Sequence, residues 1–182
     1  MNASDATLYS GGARGAEAAF GENAAKFGVS EVNYTFDGHH IERTAHTVTL
    51  TDAELSKGDV TMNEVSSRIG RDYSKSPWMR RILQSIWHQI NGGFQVFIIG
   101  SINSDGTVKG GTGWAAELGK MFNRPLYVFD QEKGDWFTWK NDTWSHEVPV
   151  ISARTFCGTG TRNLTAAGEK AIEELFSRSF DS

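Results

Sequence analysis

Apolar positions along this chain follow two patterns: short continuous or alternating runs, and longer stretches at helical spacing. A first short strand is expected at residues 7–9, followed by a helix over 13–27 that Gly28 ends as a C-cap. Residues 31–36, Glu-Val-Asn-Tyr-Thr-Phe, alternate polar and apolar like a half-buried strand, and Asp37-Gly38 is a turn signal. A weaker strand is expected at 47–50. Thr51 or Asp52 then caps a helix with Glu54 near its first turn, and a short helix follows over 59–69. Pro77 opens the clearest helix, 77–90, with Trp78, Ile82, Leu83, Ile86, Trp87 and Ile90 on one face. Arg80, Arg81, Gln84 and His88 fall on the other face, which reads as solvated. Residues 95–99, with the continuous apolar run 96–99, read as a buried central strand. A helix over 111–122, a strand at 126–129, a hairpin turning at Asn141-Asp142, a last short strand from Val150-Ile151 and a helix over 165–180 complete the pattern. Strands alternating with helices imply right-handed crossovers and a mostly parallel sheet, hence an α/β protein in one domain, 1–182.

Two glycine-rich segments interrupt this pattern. Ser10-Gly11-Gly12-Ala13-Arg14-Gly15-Ala16-Glu17 follows the first strand, and Lys109-Gly110-Gly111-Thr112-Gly113-Trp114-Ala115-Ala116-Glu117 lies downstream of the central one. Each leads into a helix. Strand, glycine loop, helix is the order that gathers backbone N–H groups and a helix N-terminus around an anion. Parallel sheets take ligands beyond the carboxyl ends of their strands where the order reverses, so both loops are expected at one cleft with a phosphate-bearing ligand between them. A third small-residue run, Cys157-Gly158-Thr159-Gly160-Thr161-Arg162, reads either as a further phosphate cradle or as a plain N-cap by Thr161 or Thr165. His39, after the second strand, stands where such folds often touch a ribose or base, although a histidine in a turn is also an ordinary surface residue. Asp130 and Gln131, just past a strand end, suit a ribose hydroxyl. Glu17 in a first helical turn also suits the helix dipole alone. The tryptophan hairpin reads as a packing flap.

Composition narrows the partners. The chain has 182 residues and a net charge of −4, which disfavours broad electrostatic binding to nucleic acid. No apolar run approaches the roughly 20 residues of a membrane span. The first residues lack the basic and apolar regions of a signal peptide. The single cysteine, Cys157, excludes an intrachain disulfide and a cysteine zinc cluster, and it reads as a small buried hydrophobe. A cytoplasmic, reducing setting is expected, with no metal or cofactor.

The first glycine segment resembles the Ser-Gly-Gly-Ala-Arg-Gly-Ala-Asp signature of the YpsA-like branch of the SLOG superfamily. The second resembles Gly-Gly-x-Gly-Thr-x-x-Glu of its lonely-guy branch, the phosphoribohydrolases. The likeness covers roughly residues 7–129, and the segment after Tyr127 looks like that of a small phage and microbial subgroup. This resemblance implies a Rossmann-like, doubly wound sheet with helices on both faces, closed here by a small C-terminal β-hairpin. It implies a nucleotide or related phosphoribosyl ligand, which some members cleave at the N-glycosidic bond and others only bind. Glu117 matches the family glutamate that would stabilise an oxocarbenium-like ribosyl centre or activate water. Trp114 stands in place of the family threonine, where an indole would stack on a base. Members are often dimers, a role the aromatic helix 77–90 would suit. Ligand binding is the first expectation, N-glycosidic hydrolysis the second, and a non-catalytic assembly role the third.

Overall fold

Eight strands organise the chain: β1 (Thr7–Ser10), β2 (Ser30–Phe36), β3 (Thr47–Leu50), β4 (Gln95–Gly100), β5 (Leu126–Asp130), β6 (Asp135–Lys140), β7 (Thr143–His146) and β8 (Thr155–Gly160). Between and after them lie α1 (Ala16–Phe27), α2 (Asp52–Leu55), α3 (Asp59–Ile69), α4 (Pro77–Gly92), α5 (Thr112–Met121) and α6 (Ala166–Phe180). The computed structural model describes residues 1–180. The last two residues of the expected 1–182 domain lie outside them.

The strands form one sheet in the order β3-β2-β1-β8-β4-β5-β6-β7. All neighbours from β3 to β5 pair in parallel, and β6 and β7 add an antiparallel hairpin at the edge. This is the expected α/β, doubly wound, mostly parallel architecture. From β1 the chain winds outward through β2 to β3, then restarts at β4 and winds the other way, and β8 finally enters between β1 and β4. The order therefore reverses about β8, and the crevice there opens at the carboxyl ends of β1, β8 and β4.

Period two along the central strands divides the core between the two faces. Phe97 and Ile99 of β4 and Phe156 of β8 join Phe20 of α1 and Ile172, Leu175 and Phe176 of α6 on one side. Val96, Ile98 and Cys157 join Met62 and Val65 of α3, Leu83 and Ile90 of α4, and Leu118 of α5 on the other. The hairpin turns at Asn141 and Asp142, both with positive φ (51° and 58°), which fits a two-residue turn matching strand twist.

Two expectations change, and the choice of cap between Thr161 and Thr165 is decided. The last strand is 155–160 rather than a segment starting at Val150, so Gly158, Thr159 and Gly160 are strand, not loop. A side chain on Gly158 would overlap the Phe20 ring, so glycine there lets α1 close on the sheet. Thr165 caps α6: its Oγ1 accepts from Gly168 N at 3.1 Å. The second face of α4 is engaged by neighbouring elements, with Gln84 buried and Arg80 and Arg81 still partly exposed. Arg80 and Gln84 each donate to the Asp59 carboxylate at 2.8 Å, Arg81 pairs with Asp52, and His88 Nε2 donates to the Glu54 carbonyl at 2.8 Å. The polar stripe is thus the seat of α2 and α3, which supply the matching acceptors. Among the described residues no helix is long and apolar enough to cross a membrane.

Candidate functional site

A cavity of about 540 Å³ occupies the crevice where the strand order reverses. One wall is α4. Ser76 caps its N-terminus, accepting from Met79 N at 3.0 Å, and Pro77 sits in its first turn. Successive turns then present Trp78 and Met79, Ile82, Ser85 and Ile86, and Gln89, running from the mouth to the floor. Trp78 and Met79 are more than two-fifths exposed, and Gln89 is 1% exposed. His39 stacks on Phe36 beside Trp78 and extends this wall. Its Nδ1 pairs with Thr35 Oγ1 at 3.2 Å, and its buried Nε2 has no partner among the described residues. Burial first, then the positive charge of Arg162, push the His39 pKa down, so the ring is neutral at neutral pH.

The floor is built around Glu17. Its Oε1 accepts from Thr159 Oγ1 at 2.8 Å and its Oε2 from Ala13 N at 3.1 Å. Gly11 lies directly beside both Glu17 and Gln89. Burial raises the Glu17 pKa, opposed in turn by hydrogen bonds from Thr159, Ala13 and Gln89 and by the charge of Arg162. The Cys157 thiol is pushed well up, by burial and then by Glu17, and remains protonated in the core as expected.

The opposite rim is the second glycine segment. After β4 the chain makes a small excursion, bridged at Ile102 and Val108, and returns Lys109 to the strand ends with Lys109 N bonded to Ser101 O at 2.9 Å. Gly113 N and Trp114 N make the first backbone bonds of α5, to Gly110 O and Gly111 O. The N–H groups of Gly111 and Thr112 are thereby left at the open helix N-terminus. Arg71 pins this turn from outside, donating to Gly110 O at 2.7 Å and Val108 O at 3.0 Å. Gly113 is required by that clamp, since a Cβ there would overlap Val108 O and the Arg71 guanidinium. Lys109, Gly110, Gly111 and Thr112 line the cavity, facing Thr159, Gly160, Thr161, Arg162 and Asn163 from β8 and its exit.

Of the residues singled out in the sequence, Ala13, Glu17, His39, Lys109, Gly110, Gly111, Thr112, Gln131, Thr159, Gly160, Thr161 and Arg162 line this cavity. Gln131 also ties α6 down, its Oε1 accepting from Thr165 N at 2.8 Å. The others lie elsewhere. Ser10 Oγ donates to Gly158 O at 2.7 Å and locks β1 to β8. Gly12 O accepts from Glu42 and Arg43 N, and Gly15 lies under the carbonyls of Thr161 and Arg162. Arg14 is exposed, 4.0 Å from Glu42. Gly158 is inside the sheet. Trp114 packs in the core against Tyr73, ring centroids 5.9 Å apart, so it is not placed to stack on a base in the cavity. The Asp130 carboxylate is spent on the N–H groups of Ile102, Glu132 and Lys133.

Glu117 does not line the cavity. Its carboxylate lies 3.5 Å from Lys120 Nζ, and that ammonium sits 3.8 Å from the Trp139 ring centroid, under the hairpin. Sequence reasoning missed Ser85, Gln89 and Arg71. The first two carried a signal: they are polar residues at 85 and 89, in helical step with Trp78 and Ile82 on an apolar stripe. Arg71, in the connection after α3, carried none.

No family model, curated protein or solved structure matches the chain. What stands defined is the class: an α/β protein with a doubly wound, mostly parallel sheet and a polar-floored cavity at its switch point.

Proposed function

We propose that the protein binds a nucleotide or related phosphoribosyl compound in this cavity. The phosphate sits at the α5 N-terminus between Lys109 and Arg162, and the flat or sugar part lies along the α4 wall. The observation that carries the reading is the cavity's two-sided chemistry at the strand-order reversal: an open helix N-terminus with two cationic side chains faces an apolar helical wall. The resemblance of the two glycine segments to the SLOG superfamily supports the same ligand class. Hydrolysis of an N-glycosidic bond has weaker support, because Glu117, the residue it rests on, faces Lys120 and the hairpin.

Native mass spectrometry of protein purified from cells, with identification of small molecules released on denaturation, is the direct test. Calorimetry with nucleoside mono- and diphosphates follows. Lys109→Ala and Arg162→Ala each should weaken binding by about 10- to 100-fold, the usual worth of a charge-assisted hydrogen bond. A protein that retains no phosphate compound and gains no thermal stability from any of them would refute the proposal.

A further inference from the structure

The hydrogen-bonding capacity of the cavity is divided between its two ends. At the floor the donors are consumed inside the protein. Ser85 Oγ donates to Ile82 O at 2.7 Å, Thr159 Oγ1 to Glu17 Oε1 at 2.8 Å and Ala13 N to Glu17 Oε2 at 3.1 Å. What remains there is acceptor capacity. An ionised carboxylate offers about four lone-pair sites, more than Glu17 fills from within the chain. Gln89 is 1% exposed and lines the cavity, yet its Oε1 has no partner among the described residues. Such an acceptor is costly to bury and is normally satisfied. The rim is the reverse: Lys109, Arg162 and the free N–H groups of α5 only donate.

We propose that Glu17 and Gln89 act together as the specificity determinant of the cavity, selecting ligands whose end remote from the phosphate presents N–H or O–H donors. The inference rests on the nucleotide reading above. Two parts of a nucleotide supply such donors, the ribose 2′,3′-diol and the amino or ring N–H groups of a base. A donor at either position takes up the unfilled acceptors and favours the carboxylate form of Glu17, offsetting the cost of its burial. A ligand lacking donors leaves Gln89 Oε1 buried without a partner and the remaining acceptor capacity of Glu17 unfilled, which is how buried polar sites reject close analogues. Glu17 and Gln89 come from different helices, α1 and α4, and Gly11 is the residue between them.

Calorimetry tests this with the four ribonucleoside 5′-monophosphates, their 2′,3′-dideoxy counterparts, purine riboside 5′-monophosphate and inorganic phosphate. The proteins are wild type, Glu17→Gln and Gln89→Leu. Wild type should bind at least one ribonucleotide and lose about tenfold or more in affinity when its donor is removed. A loss on going to the dideoxy compound assigns the donor to the sugar. A loss from adenosine monophosphate to the purine riboside compound assigns it to the base. In both variants the discrimination should shrink to about twofold while affinity for inorganic phosphate is unchanged. Gln89→Leu removes the unpartnered Oε1 together with the hydrogen bond that Gln89 gives Glu17, so its unliganded melting temperature should fall only slightly; the near-isosteric Glu17→Gln provides the second route if it falls further. Undiminished discrimination in the variants, or none in the wild type, overturns the inference and leaves the nucleotide reading standing. Binding of inorganic phosphate with no nucleotide bound by the wild type overturns both.

Discussion

Replacing Glu17 by glutamine makes the sharpest test of the cavity floor that needs no ligand. Glu17 is 7% exposed, and burial outweighs the hydrogen bonds and the Arg162 charge that favour its ionised form. Its pKa is therefore higher in the folded protein than in the unfolded chain. A carboxyl with a raised folded pKa contributes stability that is fully present below its unfolded pKa and is lost as pH rises through the folded value. One proton is at stake, so the limiting slope is about 1.4 kcal/mol of stability lost per pH unit across that interval. Glutamine cannot ionise and removes this slope. It also weakens the bonds from Thr159 or Ala13, a pH-independent cost of about 1 kcal/mol. The variant should thus be less stable than wild type at pH 4 and gain on it steadily as pH rises. Urea unfolding of both proteins from pH 4 to 8 measures the difference directly. His39, whose lowered pKa contributes stability above its unfolded value that is lost as pH falls, titrates in both proteins and drops out of the comparison. A difference that is flat with pH, or one in which the variant loses ground as pH rises, would refute the claim that burial governs Glu17.

Two further predictions concern the rim and the hairpin side. Gly111 has helical backbone angles (φ −60°, ψ −31°) and open space where the first carbon of a side chain would stand, so Gly111→Val should keep the melting temperature within a few degrees yet cut phosphate and nucleotide affinity by about tenfold or more, read by thermal shift and calorimetry. Glu117→Gln should leave ligand affinity unchanged, because the residue contacts Lys120 and not the cavity; base release from a nucleotide that falls by about 10²-fold or more in this variant would instead restore it as a catalytic group.

Most strands and the hairpin were legible because their signals are local: a continuous apolar run at 96–99, alternation at 31–36 and an Asn-Asp turn between aromatic strands. β8 was not. Its core is Cys-Gly-Thr-Gly, a composition of loops, and it is a strand because β1 and β4 hydrogen-bond it from both sides and Phe20, far away in sequence, fills the space over Gly158. The polar face of α4 misled in the same way, since exposure was inferred from polarity while Asp52, Asp59 and the Glu54 carbonyl, from segments well upstream, convert it into an interface. In the site, the glycine segments announced themselves, but which of their residues face the cavity depends on how α5 is seated. Arg71 and the carbonyls it holds set that seat, and nothing local to Gly113 or Glu117 reveals it.

Two segments that look alike in sequence consequently do different work. In the second, the helix N-terminus is open, and Lys109 stands beside it. In the first, the groups that would receive an anion are already engaged. Ala13 N is bonded to the Glu17 carboxyl, Ala16 N to Thr161 O and Ser10 Oγ to Gly158 O. The group that takes this place is a carboxyl supplied by the chain itself, Glu17, four residues on from the N–H it occupies. A phosphate brought to the same place would meet this buried carboxyl at close range and find the N–H groups around it already taken. The first segment is therefore a closed cradle around the Glu17 carboxyl, and the second keeps an open helix N-terminus. On the proposed nucleotide reading, that division would orient the ligand, its phosphate toward the donors of the second segment and its other end toward the acceptors at Glu17 and Gln89.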